Sequence, residues 1–119
     1  MAVSFPIPVP ACAPVVPVAH RSDVLARLSA NASVLKAMGL SRCAVFGSFA
    51  RDQAIRPDSD VDLLVSFQAG RKDFDAYLEL VDHLEMLLAR RVDLVTAEGL
   101  SRHLAASVLG EALDVALGT

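Results

Sequence analysis

Cysteine is nearly absent from this chain of 119 residues: only Cys12 and Cys43 occur, too few and too differently placed for a disulfide framework. Neither stands at metal-ligand spacing from His20, His83 or His103, which excludes a cysteine–histidine metal site and makes a reducing cytoplasm the expected compartment. Basic clusters are missing too. The longest is Arg90-Arg91 and the formal net charge is -3, so a protein that tracks along the phosphates of a long nucleic acid is not expected. No apolar run reaches the length of a membrane span, and the first residues lack the basic head and unbroken apolar core of a signal peptide. Tyrosine occurs once, as Tyr77, at a position that reads as core.

What the chain does have is apolar residues, 54% of the total, enough to build one core at this length. Residues 1–20 stand apart, with five of the six prolines and no Asp, Glu, Lys or Arg. Helix is excluded there, and an extended, polyproline-like arm is expected, either free or docked on the domain or a partner. The folded domain is then residues 21–119. Ser22 and Gly39 bracket a helix over 23–38, and a short buried strand over 43–46 breaks at Gly47-Ser48 before a helical turn at about 49–53. Pro57 forces a loop and a second strand covers 60–67. Asp73 caps a helix over 73–90 whose buried stripe is Phe74, Tyr77, Leu78, Val81, Leu84 and Leu88, with Arg90-Arg91 at the negative end of its dipole. A third strand over 92–96 and a last helix over about 100–117, weakened by Gly110, complete the order. The fold class is therefore α/β (α+β), a small mixed sheet backed by helices.

The chemistry concentrates in Ser59-Asp60-Val61-Asp62-Leu63-Leu64-Val65. Strand side chains alternate faces, so Asp60 and Asp62 share one face while Val61, Leu63 and Val65 share the other. Two carboxylates this close repel, a cost that a hard divalent cation relieves. A calcium loop does not fit, because its turn glycine would be Leu63 and its closing glutamate Ala69. Nor does a haloacid-type phosphatase, whose Asp-x-Asp should end an apolar strand rather than begin one. Asp93 starts another strand of the same sheet, and a third acid there suits two-metal phosphoryl or nucleotidyl transfer. Upstream, Gly47 permits close approach of a phosphate, Ser48 offers backbone N–H and hydroxyl, and Arg51 lies one helical turn on.

Gly47-Ser48-Phe49-Ala50-Arg51, Asp60-Val61-Asp62-Leu63-Leu64-Val65 and Val92-Asp93-Leu94-Val95 together resemble the minimal nucleotidyltransferases of the polymerase-beta superfamily, over about residues 22–117. The resemblance implies that Asp60 and Asp62 bind magnesium, two ions in all. It implies that Asp93 completes the site and assists deprotonation of the acceptor, and that Gly47, Ser48 and Arg51 hold the triphosphate of ATP. The stretch from Ser48 to Asp60 is one residue longer than is usual in the family, with the extra residue in the loop around Ile55 to Asp58. Members of this size resemble the antitoxins of two-gene pairs that transfer AMP to a tyrosine of a helical HEPN ribonuclease toxin. That protein is the partner the resemblance implies. Sequestration without catalysis, and nucleotidyl transfer to a small hydroxyl compound, are the alternatives. His20, His83 and His103 are expected to be non-catalytic, and Glu79, Glu85, Glu98 and Glu111 to be solvated.

Overall fold

The computed structural model describes residues 16–71, 73–99, 108 and 110–117, so Cys12, His103 and most of the proline arm lie outside the described residues. Its elements are α1 (Arg21–Ala30), α2 (Ala32–Ala37), β1 (Leu40–Phe46), α3 (Gly47–Arg51), β2 (Val61–Phe67), α4 (Phe74–Leu88), β3 (Val92–Thr96), a 3-10 turn (Ala97–Gly99) and β4 (Leu113–Asp114). The strands form one mixed sheet in the order β3-β2-β1-β4. β1 runs antiparallel to β2 and β4, while β2 and β3, joined through α4, are parallel.

The core explains the arrangement. Cys43, Val45, Val61, Leu63 and Val65 bury one face of the central strands against Val24, Leu28 and Leu35 of the first two helices and Leu80, Leu84 and Leu88 of α4. On the opposite face Ala44 and Leu64 pack with Val108. Both central strands are therefore covered on two sides at their middles, where Cys43-Ala44-Val45-Phe46 and Leu63-Leu64-Val65 are unbroken apolar stretches. Burial pushes the Cys43 thiol up to about 12, so it stays protonated and unreactive.

Several sequence expectations need correction. The helix expected over 23–38 is two helices broken at Asn31, whose side-chain carbonyl pairs with His83 at 2.8 Å. The first starts before Ser22, because Asp23 accepts the backbone N–H groups of Ala19 and His20. Val18, assigned with the arm, is fully buried and donates its N–H to the Leu88 carbonyl. The expected stripe of α4 holds at Leu84 and Leu88, with Tyr77 and Val81 packed against the core, but Leu80 joins it while Phe74 is 74% and Leu78 44% exposed. Asp73 does cap this helix, accepting the N–H of Ala76. Most of the helix expected over about 100–117 lies outside the described residues, and helix does not continue to residue 117. The chain instead adds β4, and Val115 and Leu117 enter the main core with a period of two.

Tyr77 packs against the core as expected, with its hydroxyl donating to the Leu94 carbonyl of β3 at 2.7 Å. No helix among the described residues is long and apolar enough to cross a membrane.

Candidate active site

β1 ends at Phe46 and the chain turns into α3 through Gly47, whose φ of +75° lies in the left-handed region. Phe46 pairs with Asp62 across the antiparallel ladder, so the turn sits over the head of β2. The contact is intimate. A Cβ on Gly47 would collide with the Asp62 carboxylate, and only glycine permits both the backbone angle and the approach. The Gly-Ser turn and the Asp-x-Asp strand, separated by the 52–60 loop, are thus one site.

The parallel ladder pairs Asp62 with Asp93. Adjacent strands lie about 5 Å apart, and these two acids occupy the face opposite Val61 and Leu63. Asp60 is exposed just ahead of β2, near enough to repel Asp62, and Asp93 is exposed as well, while Asp62 is half-buried. Burial pushes the Asp62 carboxyl up to about 6, with Asp93, Asp60 and Glu111 adding like-charge repulsion and Arg51 opposing it.

The gathering is looser than the sequence suggested. As the side chains stand, no three acid, His or Cys residues among the described residues lie close enough to hold one ion. Two of the three acids, Asp60 and Asp93, are exposed, and like charges repel. The donor set nevertheless fits a hard divalent cation: it is all carboxylate, and its strained member is held in its charged form only against burial and its neighbours.

Glu111 is the residue that sequence reasoning missed. It was expected to be solvated, yet its carboxylate accepts the Gly47 N–H at 2.9 Å and the Arg51 guanidinium at 2.8 Å. An anionic oxygen therefore already rests on the donors expected to meet a phosphate. Nothing in the local sequence signals this, because the contact depends on the C-terminal segment folding back over the sheet to pair β4 with β1. Glu85 was likewise expected to be solvated and instead accepts the Val92 N–H at the start of β3. Ser48 lies partly buried in the first turn of α3. Replacing Glu111 with Gln removes one of the charges acting on Asp62, so the Asp62 carboxyl should titrate below its present value of about 6. Carbon-detected NMR of the side-chain carboxyl across pH 3–8 checks the shift; an unmoved midpoint would place Glu111 out of electrostatic reach.

A sheet of this topology, with a glycine turn in contact with paired acids, is a nucleotidyltransferase fold, and the chain belongs to the polymerase beta nucleotidyltransferase family, which it matches over residues 32–113. Among its relatives is the protein adenylyltransferase MntA of Thermococcus cleftensis, 42% identical over 65% of this chain and 76% of the relative. A candidate minimal nucleotidyltransferase of known structure superposes with a TM-score of 0.69 at 42% identity, covering 79% of this chain and 94% of that one. A toxin–antitoxin structure with AMP-PNP superposes at 0.58 and 27% identity, covering 83% and 73%. The complex of the tri-AMPylated HEPN toxin of Shewanella oneidensis with its MNT antitoxin does so at 0.51 and 25%, covering 76% and 71%.

Proposed function

We propose that this chain is a magnesium-dependent protein adenylyltransferase that moves AMP from ATP to a tyrosine hydroxyl of a HEPN-type toxin and so acts as its antitoxin in the cytoplasm. The observation that carries the reading is the contact between Gly47 and the Asp62 carboxylate, which joins a phosphate-gripping turn to a cation-binding acid. The relatives' names and the AMPylated toxin of the structural neighbour support the acceptor.

Asp60 and Asp62, with Asp93, would hold the ions, which supply positive charge against the triphosphate and the developing charge on phosphorus. Gly47 presents its N–H, Ser48 its hydroxyl and Arg51 its guanidinium to the phosphates, and the Glu111 carboxylate yields its place on Gly47 and Arg51 to them. Asp93 takes the proton from the tyrosine hydroxyl as that oxygen bonds to the α-phosphorus. The bond from the α-phosphorus to the bridging oxygen breaks, pyrophosphate leaves, and AMP remains on the tyrosine. The lone tyrosine of this chain, Tyr77, is a poor acceptor, since its part-buried hydroxyl donates to the Leu94 carbonyl.

The test is to mix the purified chain, ATP, magnesium and the HEPN-type partner and to measure the partner's mass. An adenylate increment that disappears with Asp60→Ala supports the proposal. Neutralisation of the partner by Asp60→Ala without any increment would replace it with sequestration, for which the exposed Phe74 and Met86 of α4 offer contact surface.

A further inference from the structure

Arg90 was expected to be an end-of-helix charge, but the chain leaves α4 through Ala89 at φ 55° and the Arg90 side chain turns back into the protein. Its Nε donates to the Val18 carbonyl at 2.6 Å. Its Nη1 faces three carbonyls of the preceding loop, those of Arg56 at 2.8 Å, Pro57 at 3.2 Å and Ser59 at 3.0 Å. A guanidinium nitrogen of this kind has only two hydrogens, so at least one is shared. The guanidinium carbon also lies 5.1 Å from the centre of the Phe49 ring, two residues beyond Gly47.

We infer that Arg90 is the positioning residue of this site: one guanidinium fixes the loop that delivers Asp60 and ties it to the phosphate-gripping turn. The geometry around Asp60 carries the inference. The Ser59 carbonyl on its one side is held by Arg90, and the Val61 N–H on its other side is held by the Arg91 carbonyl at 2.9 Å. An exposed acid therefore has both flanking peptide groups anchored. The loop so gripped is the one that carries the extra residue, and its tip closes on itself through Arg56 and Ser59. Lysine cannot reproduce the arrangement, because an ammonium is a point charge without a flat face to stack on Phe49 or a fork to span separate carbonyls.

The inference rests on the cation-dependent reading above, and the experiment separates the two. Manganese with AMP-PNP is titrated into the full chain and followed by electron paramagnetic resonance, for the parent, Arg90→Lys and Arg91→Gln. Outer partners of metal ligands typically change affinity by about 10–100-fold, and a rise of that size in the manganese dissociation constant is expected for Arg90→Lys alone. Arg91→Gln, which loses the neighbouring charge, should bind within about twofold of the parent. A folded Arg90→Lys variant that binds manganese like the parent and loses only thermal stability overturns the inference, as does failure of that variant to fold at all. A parent chain that takes up no manganese overturns the cation-dependent reading itself.

Discussion

Asp62→Asn should lower adenylate transfer by about a thousandfold and, at pH 8, raise the melting temperature of the chain. The loss follows from the role of the carboxylate: an ion that stabilises transferring phosphate contributes several kcal/mol, and about 4 kcal/mol is close to a thousandfold in rate. The gain in stability follows from the strain on the same group. Asp62 is half-buried beside Asp93, Asp60 and Glu111, and its carboxyl is raised from 3.8 to about 6 in the folded chain. Between those two values the folded protein binds more protons than the unfolded one, so stability falls as pH rises through that window, and the whole cost is present above about pH 6. Asn keeps the shape and carries no charge. The substitution should therefore stabilise the metal-free chain at pH 8 and lose that advantage toward pH 4, where Asp62 is protonated in the parent. Thermal scans of both chains at the two pH values check this, and a melting difference independent of pH would show that the acid is not strained.

The parts of the site that sequence disclosed are those fixed by local backbone. Alternation along β2 predicts Asp60 and Asp62 on one face, and Asp60, just ahead of the strand, lies near enough to Asp62 to repel its carboxylate. The position of Asp93 at the head of β3 needed only a parallel neighbour, and the register supplies it as the partner of Asp62. Asp73 and the strands at 61–67 and 92–96 were equally legible. What escaped was set by contacts distant in sequence. Glu111 has no motif, and its carboxylate matters only because β4 returns the chain 64 residues later to the Gly47 N–H. Arg90 reads in sequence as a helix-end charge, and its placement among carbonyls from two other segments comes only with the fold. The edges of the α4 stripe, Phe74, Leu78 and Leu80, were not legible because its sequence is apolar over more than one face, and periodicity then cannot choose where the buried face ends. Leu80 won over Phe74 through packing, not pattern. The C-terminal strand was hidden for a related reason: two residues are too few for a period to register.

Gly47→Ala should be the most damaging substitution of a single methyl group in the chain, reducing transfer at least a hundredfold and destabilising the fold. Two costs combine. A left-handed φ of +75° is unfavourable for a residue with a Cβ by about 1–2 kcal/mol. The added carbon would also strike the Asp62 carboxylate, so either the turn or the acid must move, and displacement of about 1 Å at a reacting centre can cost a hundredfold. The two costs are separable. In an Asp62→Ala background the carboxylate is gone, leaving only a Cβ at 3.3 Å, while the backbone angle remains, so Gly47→Ala should destabilise that variant less than it destabilises the parent. A double-mutant cycle of unfolding free energies measures the difference, and residues in contact commonly couple by about 0.5–3 kcal/mol. Strict additivity would mean that the turn and the acid do not touch, and the proposed site would lose the contact that joins its two halves. A positive coupling, accompanied by loss of transfer in both single variants, is the result that the packing of Gly47 on Asp62 requires.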